Sequence, residues 1–511
     1  MKQIARAALL CCWPALSFAQ ESAPLSAIDW LSQSVQVPPT NATPDASIQD
    51  EPPIASTATP PRVSTAPLDG PSPDPIGLLA PSVTALPTTL WSGSDEALLI
   101  ALLKAEDIHG WPAMQELLQM LLLAEADPPL GASSDGKLFQ ARVDKLLDLG
   151  AIEPAQGMLE QAQIETPDLF RRWFDVALLL GIENRACSVL QRRIDIAPTD
   201  AAQIFCLARS GDWSAAALSL NTRIALNDID AQEAALLSRF LDPELFEGEP
   251  PLGPPARISP LMFRMYEAIG ERQSTNTLPR AFAHADLHHT VGWKSQLEAA
   301  ERLARHGAIA PNVVFALYTS RTPSASGGVW DRAKAVQDFE LALATSNPDR
   351  IAATLPAAWA SAKGARIELA FAAEYAERLS KIRLQGRAAE LAFTVALLSP
   401  QYEAAALAHP DENAALVLLS QGTPERSLRS DPTYRAIVNA FTTAAPPEPL
   451  MALASDDKLG ESLLRAIALF DLGTDGDLIA LTESLAFFRA VGLEDLARRA
   501  SLQILLLERP L

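Results

Sequence analysis

Apolar residues recur at helical spacing through most of the chain, and glycines interrupt them at even intervals. In Ile204–Leu226, IFCLARSGDWSAAALSLNTRIAL, the residues Ile204, Leu207 and Ala208 share one helix face before Gly211. Trp213, Ala216, Ala217 and Leu220 share another after it. Glycine ends a helix readily because it takes the left-handed conformation without a Cβ penalty. Asp212 is then placed to cap the next helix, and Trp213 is expected to fill the wedge between the two. Leu146–Leu159 (LLDLGAIEPAQGML) and Leu178–Leu190 (LLLGIENRACSVL) repeat the pattern around Gly150 and Gly181. The three glycines are 31 and 30 residues apart, with Ala155, Ala186 and Ala216 at plus five and Leu159, Leu190 and Leu220 at plus nine. Self-similarity at this period predicts an all-α fold, an α-solenoid of stacked helical hairpins. Gly307 repeats the text around Gly150, GAIAP against GAIEP, with Pro311 and Pro154 in the first helical turn, where a missing N–H costs nothing. Gly492 opens a last hairpin, with Ala497 at plus five.

The pattern weakens elsewhere. Residues 20–75 are rich in Pro, Thr, Ser and Ala and nearly free of large apolar groups after Val35, the composition of a disordered tail. Within it Leu25–Val35 (LSAIDWLSQSV) is a short amphipathic segment. Order is expected to resume at 76, with Ser94 capping a helix and Pro112 starting another that stops near Asp127. The helical array then runs to 247. A Pro-rich loop over 248–260 (GEPPLGPPARISP in Gly248–Pro260) separates it from a second array over 261–511. The segment Leu261–Ile269 is apolar enough to be buried.

At the level of its hairpins the chain resembles tetratricopeptide-type solenoids, with a shorter period and without their Trp/Leu-Gly/Tyr pattern. The stretches FCLARSGDWSAAAL, SPLMFRMYEAIGE, SASGGVWDR and GLEDLARRASLQILLLER are similar to those of an uncharacterised family of exported helical proteins from alphaproteobacteria. The likeness runs over most of 76–511. Some members carry an antifreeze-glycopeptide label that reflects Ala/Pro/Thr-rich composition. The resemblance implies a helical exported protein and brings no catalytic residues with it.

The 511 residues carry a formal charge of −21, which argues against nucleic acid and anionic membrane surfaces, since both require a basic footprint. Residues 1–19 read as a cleavable signal peptide: Lys2 and Arg6, a short apolar run, then Ser17-Phe18-Ala19 before Gln20. Cleavage between Ala19 and Gln20 removes two bases and no acids, taking the charge from −21 to −23. Cys11 and Cys12 fall inside the apolar run and do not follow the small residue that a lipoprotein site needs. No later run is long enough for an integral membrane span. The expected compartment is the periplasm. The other two cysteines, Cys187 and Cys206, lie in neighbouring helices of successive units; an oxidising compartment favours a disulfide, and two buried thiols are the alternative.

Candidate chemistry is sparse. His284, Asp286, His288 and His289 cluster in AHADLHHT, and His284 and His288 share a face if the stretch is helical. A third metal ligand is not evident, and a polar helix end accounts for the cluster, so neither metal nor cofactor is expected. Ser324–Gly328 lacks the Gly-Lys-Ser/Thr ending of a phosphate loop and reads as the approach to a helix at Trp330. Gly460-Glu461-Ser462 invites comparison with superhelical lytic transglycosylases, but their companion Gly-Leu-Met-Gln motif is absent, and a surface carboxylate is the plainer account. Trp173, Trp213, Trp293 and Trp330 read as core wedges, and Arg171-Arg172 as a solvated face. The expected function is a non-enzymatic scaffold binding an envelope protein or peptide on a concave helical face. The alternative is a peptidoglycan-associated protein or enzyme, tested at Glu461.

Overall fold

The repeated glycines end helices in the same way. In a computed structural model describing residues 72–107, 110–163, 166–507 and 509, Gly150, Gly181, Gly211, Gly307 and Gly492 all take positive φ, between 63° and 90°. In each case the glycine N–H bonds the carbonyl three residues back and the next N–H bonds the carbonyl five back, as in Ala151 N–H to Leu146 O at 2.8 Å and Leu493 N–H to Phe488 O at 2.8 Å. This double closure satisfies carbonyls that a helix end otherwise leaves open. It turns the chain sharply enough for the next helix to pack on the last. The alanines at plus five, Ala155, Ala186, Ala216 and Ala497, are fully buried, where small side chains let neighbouring helices approach.

The described residues form 25 α-helices and a few short 3-10 turns, with no strand among them. The signal segment, the Ala19/Gln20 cleavage position, Leu25–Val35 and the tail up to residue 71 lie outside the described residues. From Lys137–Leu149 through Ile152–Gln161, Pro167–Leu180, Glu183–Leu190, Asp200–Arg209, Trp213–Leu226 and Ala231–Leu241, each helix packs on the next. The same holds from Trp293–Ala304 to Ala414–Ser420.

The Pro-rich segment separates two arrays in sequence but not in space. The Pro260–Ala268 helix, with Phe263, Met265 and Tyr266 fully buried, folds back onto Pro167–Leu180. The one-turn helix Ala283–Asp286 packs on the same partner.

The chain of contacts also closes, which the expectation of an open concave face did not include. The Pro112–Leu123 helix packs on Lys137–Leu149 on one side and on Glu494–Leu506 and Leu459–Thr474 on the other. Hydrogen bonds fasten the seam. Gly460 N–H donates to Leu90 O (2.9 Å), Gly93 N–H to Asp457 O (3.0 Å), Ser94 Oγ to Glu461 Oε2 (3.0 Å) and Ala113 N–H to Gln503 Oε1 (2.9 Å). The approach is tight: a Cβ on Gly460 would lie 2.2 Å from the Trp91 ring. Arg142, fully buried, holds the start of the described chain by donating to the carbonyls of Asp74, Ile76, Leu122 and Ala124 at 2.7–3.0 Å.

Several local expectations are corrected. Asp95, not Ser94, caps the Glu96–Ala105 helix, accepting from Leu98 N–H; Ser94 is buried in the seam. The helix from Pro112 stops at Leu123, before Asp127. Trp213 is 49% exposed and only edges Phe240, so it wedges nothing. Arg171 is solvated, whereas Arg172 is buried and makes a double hydrogen bond to Asp144 at 2.7 Å.

Candidate functional site

The histidine cluster caps helix ends. His284 Nε2 sits 2.7 Å from Gly150 O and His288 Nε2 sits 3.0 Å from Leu180 O. Arg280 Nη1 donates to Leu149 O at 3.2 Å. The segment 280–288 thus runs across the C-terminal ends of the first helices of two successive repeats, where carbonyls and the helix dipole favour donors. Burial pulls the His284 pKa below its ordinary value, against the Gly150 carbonyl and Glu153, which raise it. Asp286 turns the other way, to Thr275 and Arg272. Among the described residues no group of three or more His, Cys, Asp or Glu is placed to hold a metal ion.

The remaining candidates also have structural roles. Glu461 is buried rather than superficial, correcting the surface-carboxylate expectation. Its Oε1 accepts from Arg465 at 2.9 and 3.0 Å and its Oε2 from Ser94, so the Gly-Glu-Ser stretch belongs to the closing seam. Ser324–Gly328 leads into the Val329–Ala344 helix, with Gly327 N–H donating to Asp331. Trp293 and Trp330 lie against each other, and Trp293 Nε1 donates to Leu317 O. Trp173 is buried with Arg185 over its ring. Cys187 and Cys206 are joined by a disulfide.

Helices from both sides of the seam help line a cavity of about 700 Å³. Three helix-to-helix turns line it, at 304–311, 366–370 and 397–400, together with Glu153-Pro154 and the inner faces of Pro112–Leu123 and Glu494–Leu506. Both copies of the repeated GAI-x-P text, at Gly150 and Gly307, therefore contribute to one wall system through Glu153-Pro154 and Gly307–Pro311. That repeated text was the one sequence signal for the site. The arginines that dominate it, Arg305, Arg366, Arg499 and Arg509, carry no local signature.

Most of these charges are already engaged. Arg499 donates to Glu116 and, at 2.8 Å, to Asp495. Burial works to lower its pKa, but the two carboxylates outweigh that and hold it above the ordinary arginine value. Arg305 donates to Ala365 O and stands 3.8 Å from Glu301. Gln119 reaches His306 O at 3.3 Å, and His306 Nδ1 meets the Gln115 amide. Glu368 is 4% exposed and its Oε2 accepts no hydrogen bond; the nearest cation, Arg509 Nη2, is 4.0 Å away. Burial raises the Glu368 carboxyl above its ordinary range, against Arg509, Lys363 and Arg366, which lower it. Arg509 lies over the Trp111 ring, and its Nε is likewise buried without a hydrogen-bond partner. Arg366 is exposed at the cavity in left-handed conformation, φ 56°, and its side chain pairs with no other described residue.

No family model matches the chain, and no curated protein or solved structure matches it. No helix among the described residues is long and apolar enough to cross a membrane.

Proposed function

We propose that this protein is a non-enzymatic, exported scaffold of the cell envelope that binds a polypeptide segment, and that the segment enters the central cavity rather than lying along an open face. The observation that carries the reading is the cavity itself. Its size falls in the range of ligand sites. Segments from the beginning, middle and end of the described chain build it, and its walls alternate apolar groups such as Ile309, Ile367 and Leu397 with oriented amides and charges. That mixture suits a peptide, which offers apolar side chains and polar backbone together. The lining carboxylates Glu116 and Asp495 are held by Arg499, an arrangement that fixes shape rather than one poised for proton transfer. The basic and apolar start of residues 1–19 and the disulfide support export.

Photocrosslinking tests this directly. A photoreactive residue at Ala310 or Ala373, both exposed on the cavity lining, should yield a polypeptide adduct in envelope extract, and Ala373→Trp should suppress the Ala310 adduct. Adducts arising equally from Leu218, which lies outside the cavity lining, or unaffected by the blocking tryptophan would defeat the reading.

A further inference from the structure

The cavity's charges are sorted by segment. The turns at 304–311 and 366–370, with residue 509, carry Arg305, Arg366 and Arg509 against the single acid Glu368. The lining segments at 112–119, 153–154 and 495–503 carry Glu116, Glu153 and Asp495 against the single base Arg499. The cavity lining of a chain with formal charge −21 thus carries four arginines alongside four carboxylates. One of each sign remains exposed and unpaired with any other described residue: Arg366 among the cations and Glu153 among the acids. Arg509, which lies over the Trp111 ring, lines the same cavity.

We propose that the cavity takes a short zwitterionic peptide with free termini, its carboxylate held by Arg366 and Arg509 and its ammonium facing Glu153. The reading rests on the peptide-binding function above and specifies which ends of the peptide are read. A guanidinium matches a carboxylate in geometry as well as charge. A ligand carrying both signs meets both unpaired charges, whereas a purely anionic or cationic one leaves one of them unpaired. The 700 Å³ volume admits a few residues, not a folded domain.

The probe is a tetrapeptide library in three forms: free termini, amidated at the carboxylate, and acetylated at the amine. Binding to the full chain is read by equilibrium dialysis with mass-spectrometric detection. The free form should bind, and Arg366→Asn should weaken it about tenfold, the scale of one charge-assisted hydrogen bond. Asparagine is chosen because it tolerates the left-handed backbone. Arg366→Asn should leave the weaker binding of the amidated form unchanged, and Glu153→Gln should likewise affect the free form but not the acetylated one. Equal retention of free and doubly capped peptides, or indifference of the free form to Arg366→Asn, overturns the proposal while leaving a peptide-binding cavity standing. Retention of no form, with Ala310 photoadducts absent as well, removes both. Thermal melting of each variant confirms that the fold is intact.

Discussion

Gly181 shows how one position can carry two constraints. Its φ of 72° disfavours any side chain, and an added Cβ would lie 2.5 Å from His288 Nε2, the group that caps Leu180 O. Gly211 has the same backbone requirement, φ 90°, with nothing within 4 Å of the added carbon. Gly211→Ala should therefore cost about 1–2 kcal/mol, the left-handed penalty alone. Gly181→Ala should cost about 1–3 kcal/mol more, because the capping histidine is displaced from a buried carbonyl. Urea titration of the two variants checks the difference. Equal midpoints would mean that the His288 contact contributes nothing. Combining Gly181→Ala with His288→Ala should cost less than the sum of the two, the mark of coupled neighbours. Even spacing identified both glycines as helix ends. Nothing local in the sequence distinguished the one that is also a packing site, because His288 comes from 107 residues downstream.

At the scale of elements, the helices past Pro167–Leu180 are joined by few covering partners. Trp213–Leu226 touches only its neighbours Asp200–Arg209 and Ala231–Leu241 extensively, and leaves Trp213, Leu218, Ile224 and Leu226 substantially exposed. The disulfide from Cys187 to Cys206 ties Glu183–Leu190 to Asp200–Arg209 at the base of this stretch, across a sequence separation of 19. Closing a loop of that length removes unfolded-state entropy worth about 3 kcal/mol. The Cys187→Ala/Cys206→Ala protein should lose stability of that order, with hydrogen exchange accelerating first in Asp200–Leu241. Unchanged exchange there would show that packing alone holds the stretch.

At the scale of the molecule, the closing seam carries a pH dependence. Burial, with Asp471 next in importance, pushes Glu106 up to about 8, Lys145 opposing; burial, with Asp107 next, pushes Asp471 up to about 7. Glu106 sits at the end of the Glu96–Ala105 helix and Asp471 on Leu459–Thr474, the helix it packs against. Both folded-state values lie above those of an unfolded carboxylate, so between roughly pH 4 and 8 the folded protein holds more protons than the unfolded chain. The stability contributed by these two carboxyls therefore falls as pH rises through that window. The melting temperature should be higher at pH 5.5 than at pH 8.5, and Glu106→Gln should flatten the slope chiefly by raising the value at pH 8.5. A melting temperature that climbs with pH across this range would contradict the protonated seam.

The sequence by itself determined the helices, their glycine ends and the burial of the alanines at plus five, because each depends on residues within a turn or two of one another. Spacing alone also placed Cys187 and Cys206 in neighbouring helices. Only the tertiary structure decided that the array closes, that 280–288 caps the ends of repeats more than a hundred residues earlier, that Glu461 is buried in a seam, and that Arg305, Arg366, Arg499 and Arg509 meet around one cavity. The physical reason is range. A helix end is fixed by local hydrogen bonds and backbone sterics. Closure rests on contacts between helices far apart in the chain, such as Pro112–Leu123 on Glu494–Leu506, and leaves no mark in any single stretch of sequence.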